Sequence, residues 1–364
     1  MSATDPRDLD FMRAALSLAR RGLGNTYPNP AVGCLLVKKG LVIARGWTQP
    51  GGRPHGEAVA LAKAGHAAKG CTAYVTLEPC AHVGQTPPCA SALVAAGVKR
   101  VVVAIGDPDP RVAGKGLEIL RNAGIEVTLD VCREEAWCAN LGFFLKVTQN
   151  RPMLTLKLAT DVNGHIPGPN AVGNDKWVTS AEARQRGHLL RANHDAVLFG
   201  IGTVLSDDPE YTCRLAGLAG QSPVRVLLDS QLRLPKDAKL LKTLDISPLW
   251  VVCGKDATGA EALESLGVTI IRAPSAQPKP HWVAQELAAR GLTRVLIEAG
   301  PTVTSAFLEA GLVDKIAWFR APKALKSGGV SAFYAKAMEK LELTRQAVLQ
   351  AGPDQLELYD TRKA

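Results

Sequence analysis

The chain has 364 residues, large for one core and comfortable for two domains. Hydrophobic residues make up 46% and charged residues 21%, which excludes a disordered chain, and no apolar run reaches the roughly 18–20 residues of a membrane span. The formal charge is +9, yet no dense Lys/Arg run occurs and aromatics are only 5%, so the basic surface suits phosphorylated small molecules better than nucleic acid, which wants stacking aromatics among basic groups.

The first stretch, MSATDPRDLDFMRAALSLARRGLG, carries acids and an amphipathic pattern and is not a signal peptide, so a cytoplasmic location is expected. A helix is predicted over 8–21, then two strands, AVGCLLVKKG and LVIARGWT, joined at a Lys-Gly turn. A helix over 57–68, a strand TAYVTLE, a helix CASALVAAG, a strand RVVVAIGD, a helix GLEILRNAG and a strand IEVTLD follow. Strands alternating with helices mean a layered α/β domain.

Eight cysteines occur: Cys34, Cys71, Cys80, Cys89, Cys132, Cys138, Cys213 and Cys253. In a long chain without an export signal these read as ligands, catalytic groups or small buried hydrophobes, so no disulfide is expected. Cys34 and Cys253 fall in apolar strand-like runs and read as core. Cys80 and Cys89 do not: they flank a Pro- and Gly-rich loop, PCAHVGQTPPC, between a strand and a helix. With His55 they supply one nitrogen and two sulfurs, a set that suits Zn²⁺ and leaves a fourth position open for water. Glu57, two residues after the histidine, flanks the metal and is placed to shuttle a proton to a leaving amine. Two helix starts lower thiol pKa values and favour the thiolates. His-x-Glu followed by Pro-Cys…Cys is the zinc nucleobase deaminase pattern, with wider cysteine spacing than its usual Cys-x-x-Cys. A closed structural zinc with His82 as fourth ligand is the competing reading.

The spacing points further. YPNPAVGCLLV, HGE and TLEPCAHVGQTPPCASAL together resemble the bifunctional riboflavin-biosynthesis deaminase–reductases, whose signature Pro-Cys-x-x-x-Gly-x-Thr-Pro-Pro-Cys is matched from Pro79 to Cys89. GDPDPRVAGKGLEILRNAGIEV also fits. The resemblance implies an N-terminal cytidine-deaminase-like α/β/α domain. It would act on 2,5-diamino-6-ribosylamino-4(3H)-pyrimidinone 5′-phosphate, with zinc on His55, Cys80 and Cys89, and Glu57 as proton shuttle. Asn29 would contact the pyrimidine, and His82 would sit beside the substrate. Gly56 stands where the family has Ala or Pro. Gln85 stands where it has a basic residue, which leaves Arg53 or Lys115 to meet the phosphate.

Between NLGFFLKVTQN and RPMLTLKLATD a helical stretch gives way to Arg-Pro and a new strand, so the boundary is placed near 148, giving domains 1–147 and 148–364. Strands are predicted at MLTLKLA, DAVLFGIG, VRVLLDS, LWVVCG, VTIIRA, RVLIEAG and KIAWFRAP, and helices near 180–192, 258–266, 281–290 and 302–310, as an open, mostly parallel sheet. No Gly-x-Gly-x-x-Gly fingerprint appears. Two other Gly-bearing strand exits, at Gly200–Thr203 and Gly300–Thr304, could receive phosphate, though each alone reads as a turn.

Read together, KWVTSAEAR, LLRANHDAVLFGIGTVLSDDPEYTCR, RVLLDS and EAGPTVTSAFLEAGLVDKIAWFRAP resemble the reductase half of the same family, whose fold is like dihydrofolate reductase. The resemblance implies NADPH as hydride donor, lined by Ala159, Trp177, Thr203, Asp207, Gly300, Pro301, Thr302, Val303 and Thr304. It places substrate on Asp175, Arg191, Tyr211, Arg214 and Glu298, with arginine forks suited to phosphate. The departures are Asp161-Val162-Asn163-Gly164 for the usual Ser-Leu-Asp-Gly, Asp175 for Ser, Tyr211 for Leu and Lys315 for Glu. A homo-oligomer is implied. The readings set against this one are a deaminase with a diverged reductase, a tRNA or nucleobase deaminase with an unrelated tail, and a basic binding module with structural zinc.

Overall fold

A computed structural model describes residues 5–82, 87–168, 177–325, 329–338 and 341–361. Two compact units divide the chain, Met1–Asn150 and Arg151–Ala364. The division falls just beyond the sequence expectation because the helix Arg133–Gln149 runs on until Asn150 closes it in the left-handed conformation.

In the first unit five strands order as Leu41–Trp47, Gly33–Lys38, Thr72–Val75, Arg100–Val103 and Glu126–Thr128. The first three pair antiparallel and the rest parallel. Lys39 and Gly40 both take positive φ, 51° and 76°, as a two-residue hairpin turn requires. Glycines let helices close on the sheet. A Cβ on Gly33 would lie 1.9 Å from the Ala15 carbonyl oxygen of the helix Pro6–Ala19. One on Gly46 would lie 2.1 Å from the Gly56 carbonyl at the start of the helix Gly56–Ala64. Gly46 pairs with Cys34, next to Gly33, so the two glycines face opposite sides of the sheet. The two helices therefore cover opposite faces, giving the α/β/α layering. Leu35, Leu36, Val75, Leu93 and Val101–Val103 fill the core.

In the second unit, among the described residues, nine strands form one sheet: Thr269–Arg272, Leu249–Cys253, Val224–Leu228, Ala196–Gly200, Arg294–Ile297, Met153–Thr160, Lys315–Arg320, Asp354–Asp360 and Thr344–Ala351. The first seven run parallel. They read as near-continuous apolar runs because both faces are buried, as at Val197, Leu198 and Phe199. The last two add an antiparallel hairpin that the sequence reading did not anticipate. Its outer strand alternates weakly and is mostly exposed, so it carries little periodic signal. The stretch after DAVLFG, expected as strand, turns at Gly200 into the helix Ile201–Asp207. Aligned parallel strands put the exits at Gly200 and Glu298 side by side, and the Glu298 amide donates to the Leu198 carbonyl (2.9 Å). That carboxyl edge is where open α/β sheets bind ligands.

All eight cysteines are free. Cys34 and Cys253 are fully buried in their strands. No helix among the described residues is long and apolar enough to cross a membrane.

Candidate active sites

His55 caps the helix Gly56–Ala64 and Cys89 opens the helix Cys89–Ala95, while Cys80 lies beyond the exit of the strand Thr72–Val75. Residues distant in sequence thus meet at one edge of the sheet. His55 Nδ1 lies 3.7 Å from Cys80 Sγ and 3.4 Å from Cys89 Sγ, and the three ligand atoms fall within 4.8 Å of one another. A tetrahedral zinc with N and S ligands at ordinary lengths sets its N···S edges at about 3.5 Å, so the triad fits that ion. The Cys89 amide donates to Cys80 Sγ (3.3 Å). Hydrogen bonds from Cys89 and His55 hold the Cys80 thiol down to about 4 against burial, making it a ready thiolate. Cys89, sharing that bond and buried, is pushed up.

Glu57 is buried, and burial pushes its carboxyl up to about 7. Gly56 between them is crowded: a Cβ there would lie 2.7 Å from the Val32 carbonyl oxygen. A side chain at this position would require the helix start or the Val32 backbone to shift. Asn29 Nδ2 donates to the Gly52 carbonyl (2.9 Å), which ties the PNP stretch to the turn before His55. His82 is not gathered with the triad, and its buried Nδ1 has no hydrogen-bond partner among the described residues. Lys115 spends its ammonium on the Pro110 carbonyl (2.9 Å), and Gln85 lies outside the described residues.

One organising residue escaped the sequence reading. Glu78 is buried and its carboxylate accepts the amides of Gly114 (3.1 Å), Gly116 (3.0 Å) and Leu117 (3.4 Å). A Cβ on Gly116 would lie 2.0 Å from the Pro79 carbonyl. The segment GDPDPRVAGKG is therefore clamped directly against Glu78 and Pro79. The signal was a glutamate at a strand exit with two later glycines, too sparse to read alone.

The second unit holds a cavity of about 490 Å³. Trp177, Arg191, Thr203, Asp207, Tyr211, Arg214 and Glu298 all line it, with Lys157 and His188, which the sequence reading passed over. Arg191 grips Glu298 through Nε (2.6 Å) and Nη2 (2.9 Å), and gives Nη1 to the Thr212 carbonyl (3.3 Å). Its fork, expected to meet a phosphate, holds a carboxylate instead. Burial alone would raise Glu298, but Arg191 and Lys157, 3.5 Å away, bring it down to about 2. Tyr211, at φ +56°, stacks on Phe199 with centroids 4.0 Å apart and donates its hydroxyl to the Glu298 carbonyl (3.0 Å).

Gly300 caps the helix Pro301–Glu309, and nothing lies within 4 Å of where its Cβ would be, so a phosphate has room at that helix start. Thr302 bonds Tyr334 between hydroxyls (3.1 Å), with Val303 next on the same helix. Thr304 is buried and donates to the Ala299 carbonyl (3.1 Å), so its side chain serves the turn. Ala159 pairs with Phe319, which lines the cavity. Asp175 lies outside the described residues. Two departures find structural employment. Asp161 accepts the amides of Asn163 (2.9 Å), His165 (2.8 Å) and Leu325 (3.0 Å), and Lys315 pairs with Asp360 across the strands (2.6 Å).

The chain matches two family models: the cytidine and deoxycytidylate deaminase zinc-binding region over 6–105 and the RibD C-terminal domain over 152–356. It is 43% identical over 321 residues to the riboflavin biosynthesis protein RibD of Aquifex aeolicus, covering 88% of each chain. The chain belongs to the RibD family. It is 37% identical to the Escherichia coli member, covering 96% of this chain and 98% of that one. A solved Acinetobacter baumannii RibD superposes with a TM-score of 0.87 at 40% identity, covering 98% of this chain and 99% of that one. A Thermotoga maritima structure, described as a diaminohydroxyphosphoribosylaminopyrimidine deaminase/5-amino-6-(5-phosphoribosylamino)uracil reductase, gives 0.86 at 31%, covering 98% and 99%. As in other RibD proteins, a zinc-binding deaminase domain and a reductase domain share one chain. It is a bifunctional enzyme of riboflavin biosynthesis.

Proposed function

We propose that the first unit deaminates 2,5-diamino-6-ribosylamino-4(3H)-pyrimidinone 5′-phosphate and that the second reduces the ribosyl group of the product to ribityl with NADPH. The observation that carries the first step is a buried Glu57 beside a His55–Cys80–Cys89 triad of zinc dimensions. Zinc held there supplies Lewis acidity. Glu57, whose pKa of about 7 lets it hold or release a proton near neutral pH, delivers a proton to the departing amine. Asn29 and His82 orient the ring. Glu78 keeps the GDPDPRVAGKG segment seated and so keeps the cysteine loop in place.

In the second unit Gly300 to Thr304, Ala159, Trp177, Thr203 and Asp207 would hold NADPH, which supplies the hydride. Arg191, Tyr211, Arg214 and Glu298, with Asp175, would hold the substrate. The closed Arg191–Glu298 pair gives that wall a fixed shape before substrate arrives. The test follows ammonia release and NADPH oxidation separately on purified protein. Both are expected in sequence, and Glu57→Gln should lower ammonia release at least about 100-fold while zinc stays bound. Retained deamination in that variant would reject the role of Glu57. Ammonia without NADPH oxidation would reject the second step.

A further inference from the structure

Resting on the reductase reading above, we infer that His188 is a specificity-determining residue of the second cavity, giving its Nε2–H, beside the Arg214 guanidinium, to the phosphate of a phosphate-ester substrate. The helix Ala181–Ala192 presents Arg184, His188 and Arg191 to the cavity at helical spacing. Three basic groups on one face ask for an anion. Their availability differs sharply.

Arg191 has all three nitrogens engaged, two on Glu298 and one on the Thr212 carbonyl. Arg184 lies over the Trp177 ring (4.6 Å) and donates to the Thr179 carbonyl (2.6 Å). Arg214 gives one N–H to Glu210 (3.0 Å), and its side chain remains 55% exposed. His188 completes the set. The Arg214 amide lies 3.3 Å from His188 Nδ1, and a backbone amide can only donate. Nδ1 is therefore an acceptor and the ring proton resides on Nε2. The same bond ties the ring to the backbone of Arg214, so the two donors are positioned together. Burial, then the charges of Arg191 and Arg214, lower the His188 pKa, while Glu298 and the Thr212 carbonyl oppose them. The ring is thus a neutral donor at neutral pH, and an arriving phosphate meets it without expelling a cation.

The test is titration calorimetry of the full chain with ribose 5-phosphate and with ribose. Three proteins are compared: wild type, His188→Ala and His188→Gln. Alanine suits a helix, so folding is preserved. His188→Ala should bind ribose 5-phosphate about tenfold more weakly, the loss of one hydrogen bond to a charged group. His188→Gln, which keeps an N–H donor, should recover to within about threefold of wild type. Ribose should show no difference among the three. Unchanged ribose 5-phosphate affinity in His188→Ala overturns the inference, and so does an equal loss with ribose. NADPH oxidation by the wild type is followed in parallel. Its absence would sink the reductase reading and leave the phosphate result standing.

Discussion

Gly56 shows how one missing methyl sets an active site. It separates His55, a candidate metal ligand, from Glu57, the proposed proton carrier, and a Cβ would run into the Val32 backbone. A backbone atom cannot swing aside as a side chain does, so the helix start must move. Gly56→Ala should cost about 1–3 kcal/mol of stability by denaturant titration and lower deamination with it. Equal stability and full activity would show that the helix start has slack. The same scale explains Asp161. A carboxylate near a cofactor site invites suspicion of repulsion, yet this one is consumed by three backbone amides. Its role is to hold a turn, which no reading of residue type alone could distinguish.

At the scale of elements, the helix Ala181–Ala192 carries Arg191 into the cavity and must be held at its end. His194 does this. Its Nδ1–H donates to the Leu190 carbonyl (2.7 Å), and the Thr155 hydroxyl, 2.9 Å from Nε2, donates back. The ring is buried, and burial lowers its pKa to about 3. The neutral ring is favoured in the folded state, so its stabilisation is complete above the unfolded pKa near 6.5 and is lost as pH falls from there towards about 3. His194→Gln should therefore be less stable at pH 7 and show a shallower stability loss between about pH 6.5 and 4, read as denaturation midpoints. A slope identical to wild type would exclude His194 as the group that titrates. Glu298 acts in the same direction lower down: its pKa near 2 means its contribution is lost only as pH falls below the ordinary carboxylate range.

For the whole molecule, each unit carries its own candidate site built within its own sheet. Chelation should therefore abolish ammonia release while leaving NADPH oxidation of the deaminated substrate unchanged within about twofold, since the reductase site draws on no residue of the triad. Loss of both activities on chelation would show that the units do not work independently.

The alternation of strands and helices, the two-domain length and the set of His55, Cys80 and Cys89 that the fold gathers were all legible in the sequence. Each rests on local chemistry: apolar periodicity, turn residues, and ligand types at helix starts. The C-terminal hairpin was not legible, because an exposed outer strand has no buried face to impose a period. Nor were Glu78, Lys157 and His188 singled out there, since a lone polar residue in an element gives no sign of what faces it. Arg191 is the clearest case. Its sequence neighbourhood marks a cavity-facing cation, but only the packing of two parallel strand exits against that helix brings Glu298 within 2.6 Å and takes the fork. Local residue chemistry and periodicity say which reactive groups are present and on which elements they ride. The partner of each charged group was decided by tertiary structure, because pairing energies depend on distance and burial, and neither exists until the sheet is assembled.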